Sequence, residues 1–153
     1  MVKVMFVCHG NICRSPMAEF VLKDMVANMG LADNFLINSS ATSSEEIGND
    51  IHYGTKNKLR QMGIPFTRRA ARKFTVEDYK NYDYILLMDE NNVRNLFRII
   101  GTDDDKKVAK LGDYSGGGNI ADPWYTGNFD DTYRDVEAGC KAFLDYLKDS
   151  AVI

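Results

Sequence analysis

The chain has 153 residues, about one domain at the usual ~150 residues each. Its 44% apolar and 27% charged residues are an ordinary globular mix, which excludes a disordered, collagen-like or repeat chain. With 19 basic and 22 acidic residues the formal charge is −3, which argues against a nucleic-acid or anionic-membrane binder, because counterion release needs a dense basic face. No stretch approaches the ~20 apolar residues of a membrane span. The opening Met1–Val7 is too short for a signal h-region and lacks a small-residue cleavage pattern. Cys8, Cys13 and Cys140 form an odd set without framework spacing, so a reducing, cytoplasmic compartment is expected.

Val2 to Val7, rich in Val and Phe and stopped by a glycine-bearing turn, reads as a buried strand. Ser15-Pro16 then predicts a helix start, with Ser15 as N-cap, Pro16 at the first helical position and Glu19 in the first turn. Met17, Val21 and Met25 give that helix an apolar face, and Gly30 ends it. Phe35–Ile37 predicts a short second strand, followed by a polar loop from Asn38 to Asn49. A helix over Ile51–Met62 stops at Gly63, and Thr75-Val-Glu-Asp78 opens a short helix with a capping box. Tyr82–Met88 predicts a third strand, Asn91–Ile100 a helix and Val108–Leu111 a brief fourth strand. Gly116–Gly118 begins a loop that ends at Asp122-Pro123, and Asp130–Lys148 is a long final helix with Val136, Phe143 and Leu147 inward. Strands alternating with helices predict one α/β domain over residues 1–153, a three-layer sandwich around a mainly parallel sheet.

The chemistry concentrates in Cys8-His9-Gly10-Asn11-Ile12-Cys13-Arg14-Ser15, between a strand and a helix N-terminus. Ligands of open α/β sheets bind beyond the carboxyl ends of strands, and a helix N-terminus presents unpaired N–H groups to an anion. Gly10 lets the backbone curl, Asn11 tolerates left-handed dihedrals, and such a loop can aim several N–H groups at one phosphate. The helix dipole and Arg14 favour the Cys8 thiolate, whereas an ordinary thiol of pKa ~8.5 is largely protonated at neutral pH. Arg14 supplies a planar fork for two phosphate oxygens, and Ser15 can donate to the thiolate as it leaves. The proton donor for a departing oxygen is expected at Asp122, which Pro123 holds out of the α region while Trp124 and Tyr125 wall the site from water.

Other features read blandly. A C-x5-R alone recurs by chance, and Asp-Pro alone is an ordinary turn; the pairing gives them weight. Cys8 and Cys13 lack the further ligands of a zinc site. His9 and His52 are expected to face solvent or to hydrogen-bond. The Arg68–Lys73 run reads as a solvated surface, with partner docking left open. No Gly-Lys-Ser/Thr follows Gly116–Gly118 to make a nucleotide loop.

On these motifs the sequence resembles the low-molecular-weight protein tyrosine phosphatases. The likeness rests on Val7-Cys-His-Gly-Asn-Ile-Cys-Arg-Ser-Pro-Met-Ala-Glu19 and Asp122-Pro-Trp-Tyr125. Ser40-Ala-Thr-Ser43, Glu46-Ile-Gly-Asn49, Gly63-Ile-Pro65 and Asp83-Tyr-Ile-Leu-Leu-Met-Asp89 also look like the family, so it covers essentially the whole chain. The resemblance implies a four-stranded parallel sheet in the order 2-1-3-4, no cofactor and no metal. It implies that Cys8 forms a phosphocysteine, Arg14 binds the transferring phosphoryl group, and Asp122 protonates the leaving phenolate and then activates water. His9, Gly10, Asn11, Ile12, Cys13, Arg14 and Ser15 would form the phosphate-binding loop. Asn11, Ser15 and Ser39 would support it, and Cys13 would trap oxidised Cys8 as a reversible disulfide. Glu45 stands at a rim position often aromatic in the family, giving the mouth negative charge beside Trp124 and Tyr125. Arg69 stands where the supporting network often has a histidine.

The implied partners are tyrosine-phosphorylated proteins, with the chain a monomer and weak dimerisation through the aromatic rim left open. An arsenate reductase of this fold would need further resolving cysteines, and Cys140 stands alone in a predicted helix. Protein-arginine phosphatases carry a small Thr where Ile12 stands, and a bulkier aliphatic better fits a phenyl ring. A phosphotyrosine-binding module without turnover would lack a nucleophile or an acid, yet Cys8, Arg14 and Asp122 are all present.

Overall fold

The computed structural model describes residues 1–153. Four parallel strands, β1 (Val2–Cys8), β2 (Phe35–Ala41), β3 (Tyr84–Leu87) and β4 (Val108–Lys110), form one sheet in the order β2-β1-β3-β4. Six helices accompany it: α1 (Arg14–Asn28), α2 (Tyr53–Gln61), α3 (Val76–Asn81), α4 (Glu90–Ile100), α5 (Pro123–Thr126) and α6 (Phe129–Asp149). Order and direction match the expectation.

The central strand explains its own composition. Val2, Val4, Phe6 and Cys8 pack on one side with α1 and α6, against Met17, Leu22, Val136 and Phe143. Met5 and Val7 face the other side with Phe74, Tyr82, Ile85 and Leu96. A strand covered on both faces reads as a nearly continuous apolar run, and only Lys3, near its start, reaches water. Phe6 alone contributes about 1.5–3 kcal/mol by its burial.

Several boundaries differ from expectation, three of them with a visible physical cause. Helix α1 begins at Arg14, with Cys13 as a cap that makes no side-chain bond, so Ser15 and Pro16 lie inside the first turn. Glu19, expected there as a dipole partner, is instead buried one turn later. Strand β2 runs on through Asn38, Ser39, Ser40 and Ala41, because pairing in register with β1 (Phe6 to Ser39, Cys8 to Ala41) carries polar residues into the sheet. Helix α2 starts at Tyr53, capped by His52, whose Nδ1 accepts the Gly54 N–H at 3.0 Å. The capping box of Thr75 and Asp78 forms as predicted.

The Arg68–Lys73 run is not simply a solvated surface. Ala71 is buried, its N–H donates to the Asn49 carbonyl at 2.7 Å, and Lys73 bridges to Ala41 beside β2. This segment braces the loop that follows β1. No helix is long and apolar enough to cross a membrane.

Candidate active site

The carboxyl end of β1 delivers Cys8 to the base of an open cleft. The loop returns into α1 through Asn11, whose φ of 60° is the left-handed conformation expected of it. Gly10 serves differently from expectation: its φ is not positive, but a Cβ there would stand 3.3 Å from Cγ of Glu46, so glycine makes room for the neighbouring loop. The N–H groups of Gly10, Ile12, Cys13, Arg14 and Ser15 donate to no acceptor within the protein. Uncapped donors at a helix N-terminus are an anion site.

Cys8 is buried, and its Sγ lies 3.0 Å from Ser15 Oγ and 3.3 Å from the Asn11 N–H. This contact is why Ser15 does not cap the helix: its hydroxyl turns to the sulfur. Asn11 Nδ2 donates to Ser15 Oγ at 2.8 Å and to Ser39 Oγ at 2.9 Å, while its Oδ1 accepts the Arg72 N–H at 3.2 Å. Ser39 in turn donates to Glu19 Oε1 at 2.6 Å. A polar chain therefore runs beneath the loop, and every member is held by another. Arg72 pairs with Asp78 at 2.8 Å, tying this support to α3. Arg69 reaches in from the braced segment, with Nη2 donating to Ser39 Oγ at 3.3 Å.

Arg14 is almost wholly buried. Its Nη1 donates to Asp89 Oδ2 and to the Ile120 carbonyl, both at 2.7 Å, and its Nη2 faces Asp122 Oδ2 at 3.4 Å. Burial disfavours its charge, but Cys8 and the Asp89 carboxylate outweigh that and raise its pKa. Burial also pushes the Cys13 thiol up to about 12, with the nearby Cys8 charge adding to the effect. The two cysteines of the loop are therefore unlike: the Cys8 sulfur is hydrogen-bonded, and the Cys13 thiol is held protonated at neutral pH.

Asp122 caps the short helix α5, its Oδ1 accepting the Trp124 N–H at 3.0 Å. Trp124 and Tyr125 line the cleft but remain 59% and 84% exposed, so they rim its mouth rather than sealing it. His52 is not a bystander. It stacks on Phe129 with ring centroids 5.4 Å apart and meets Trp124 edge-on at 5.8 Å, which props the rim from behind. His9 Nε2 lies 2.9 Å from Glu45 Oε2 at the opposite lip, with Glu46 beside it.

The expected residues thus line one cleft, except Asn11, Ser15 and Ser39, which form a hydrogen-bonded layer beneath it. Sequence reasoning missed Asp89, which orients Arg14, and Glu19, Arg72 and His52 in their supporting places. The only signal for Asp89 was its position directly after the third apolar strand, at a carboxyl end where ligand sites form.

Known proteins are similar in sequence and in fold. A family model described as low molecular weight phosphotyrosine protein phosphatase matches residues 3–152. The low molecular weight protein-tyrosine-phosphatase YfkJ of Bacillus subtilis is 38% identical over 147 residues, covering 94% of each chain. Its crystal structure superposes with a TM-score of 0.94, covering 98% of this chain and 96% of that one. The human low molecular weight phosphotyrosine protein phosphatase is 39% identical over 148 residues, 93% of each chain. The crystal structure of a Drosophila arginine phosphatase matches at 30% identity and a TM-score of 0.87, covering 96% of this chain and 98% of that one. Full-length agreement in sequence and in fold leads to one assignment: the chain belongs to the low molecular weight phosphotyrosine protein phosphatase family, whose members are cysteine-dependent hydrolases.

Proposed function

We propose that this protein-tyrosine phosphatase works through a phosphocysteine on Cys8. The observation that carries the reading is the sulfur itself, 3.0 Å from Ser15 Oγ at the start of a loop whose following N–H groups have no acceptor in the protein. Cys8 Sγ attacks phosphorus; the S–P bond forms as the P–O bond to the phenol breaks, and Asp122 gives its proton to the departing phenolate. Asp122, now a carboxylate, takes a proton from water as that water attacks phosphorus, and the S–P electrons return to Cys8. Ser15 and the Asn11 N–H steady the leaving thiolate, and Arg14 with the loop N–H groups holds the equatorial oxygens.

The substrates are tyrosine-phosphorylated proteins, and a cytoplasmic place suits a nucleophile that must stay reduced. Glu45 and Glu46 give the mouth negative charge, favouring sequences with basic residues beside the phosphotyrosine. Under oxidation Cys13 closes on Cys8 as a disulfide that thiol reductant reopens. A second reading, hydrolysis of phosphoarginine, draws on the Drosophila neighbour; Ile12, whose side chain is buried beside the loop, favours the phenyl ring instead.

Initial rates on matched phosphotyrosine, phosphoserine and phosphoarginine peptides, with Cys8→Ser as blank, test this. Turnover confined to phosphotyrosine and lost in the variant is the expected result. Preference for phosphoarginine would transfer the mechanism to the second reading.

A further inference from the structure

His52 touches both halves of the active site. It lies half-buried between β2 and α2, and its backbone N–H donates to the Ile12 carbonyl at 2.9 Å. In the first turn of α2, Thr55 Oγ1 donates to the Cys13 carbonyl at 3.1 Å. The carbonyl and the N–H of a trans peptide point in opposite directions. These two bonds therefore turn the Cys13 and Arg14 N–H groups away from α2, and neither N–H meets an acceptor in the protein.

The His52 ring serves the other half. It stacks on Tyr53 and on Phe129, with centroids 4.4 Å and 5.4 Å apart, and Trp124 meets it edge-on at 5.8 Å. Phe129 in turn packs on Ile12, Cys13 and Ala71. Gly54 leaves room for this group of rings, since a Cβ there would come within 2.3 Å of the Phe129 ring. The turn that carries Asp122 needs such a hold: the N–H groups of Trp124, Tyr125, Thr126 and Gly127 donate to Asp122 and Pro123, within the turn itself. Capping does not account for the imidazole. Nδ1 accepts the Gly54 N–H at 3.0 Å, but Asp, Asn, Ser or Thr would cap at least as well. What only a ring supplies is the stack on Phe129 and the edge contact with Trp124.

We propose that His52 is a positioning residue for Asp122: its ring holds Trp124, the Trp124 N–H holds Asp122 Oδ1 at 3.0 Å, and the carboxyl is thereby fixed relative to the phosphate loop that the His52 backbone also ties. The proposal rests on the phosphatase reading, in which Asp122 gives its proton to the departing phenolate. With Oδ1 engaged by Trp124, Oδ2 on the Arg14 side of the cleft is the oxygen left to carry that proton. A rim displaced by even ~1 Å lengthens the path of the proton and leaves the Cys8 sulfur where it is.

The test separates ring from cap. His52→Asn keeps a capping oxygen and loses the ring; His52→Phe keeps a ring and loses the acceptor. Both retain the backbone N–H to Ile12. Each is compared with wild type in kcat/KM over aryl phosphates of graded leaving group, in acrylamide quenching of fluorescence and in melting temperature. Trp124 is the one tryptophan of the chain, so its fluorescence reports this contact directly. His52→Asn should lose roughly tenfold on the most basic phenolate and little on p-nitrophenolate, with Trp124 more readily quenched and the melting temperature near that of wild type. His52→Phe should keep the wild-type leaving-group dependence and quenching while melting at a lower temperature. A purely structural role predicts the reverse, with activity following stability. A His52→Asn rate within about twofold of wild type on the basic phenolate, an equal loss for every leaving group, or unchanged quenching overturns the proposal. If His52→Phe does not fold, His52→Asn still decides, because its cap is intact. A wild type without turnover would overturn the phosphatase reading instead, and quenching would still judge whether His52 holds Trp124.

Discussion

Arg14 and Asp89, 75 residues apart in the chain, meet at 2.7 Å where the first and third strands end side by side. Asp89 does two things at once: Oδ2 holds the guanidinium, and Oδ1 accepts the Asn92 N–H at 2.8 Å to cap α4. The Arg14 guanidinium is therefore aimed by the start of a helix that itself forms no part of the loop.

Asp89→Asn separates these tasks. The amide oxygen still caps α4, but an NH2 group turned to Arg14 sets donor against donor. We expect stability to change by about 1 kcal/mol or less and kcat/KM to fall roughly tenfold, mostly through KM. A variant with unchanged kcat/KM would show that Arg14 is aimed without Asp89.

Asp122→Ala should slow aryl phosphates in proportion to how poor their leaving group is. A phenolate that leaves readily needs no proton, so its rate should fall least, and a basic one should lose about 100-fold or more. Equal losses across a leaving-group series would remove the acid role from Asp122.

Glu45→Lys should reverse the preference of the mouth. Glu45 is exposed and held only by His9, so its field is screened. We expect the ratio of kcat/KM for basic-flanked against acidic-flanked phosphotyrosine peptides to fall several-fold at low salt and to converge at high salt. A salt-independent ratio would mean that contacts rather than charge set the choice.

Cys13 should be a slow resolver of oxidised Cys8. Its thiol is pushed up to about 12, by burial first and then by the Cys8 charge, so its thiolate is scarce at neutral pH. Oxidation of Cys8 to the neutral sulfenic acid removes the second of these causes and leaves the first. After a peroxide pulse, disulfide formation should therefore quicken as pH rises above 7. Quenched mass spectrometry would follow it. Cys13→Ser should lose reductant-reversible recovery; undiminished recovery would remove Cys13 from the pathway.

Acid should strip stability from the braced segment. Burial acts to raise the Asp50 carboxyl, but Lys56 and the Arg69 and Ile51 N–H groups outweigh it and hold the value at about 2. A depressed folded value means stability present above pH ~4 and lost as pH falls towards 2. Asp50→Ala should cost about 1 kcal/mol at pH 7, allowing for solvent screening, and almost nothing near pH 2. Urea midpoints at both pH values measure this; an equal cost at both would make the contribution one of packing.

Much was legible along the chain because its cause is local. The apolar run of β1 follows from burial on both faces, and the left-handed Asn11, the Thr75 cap and the Cys8 to Ser15 loop each depend on a few adjacent residues. The alternation of strands with helices and the placing of a cysteine before a helix N-terminus follow from the same local patterns. The tertiary structure alone placed the rest. Whether Ser15 caps a helix or faces a sulfur depends on where Cys8 ends, and whether Asn38–Ala41 is loop or strand depends on the register with β1. Asp89 on Arg14, His52 behind Trp124 and Arg69 under Ser39 join residues far apart in sequence. Hydrogen bonds and charges act through space, so their partners are set only when the sheet brings its strand ends together.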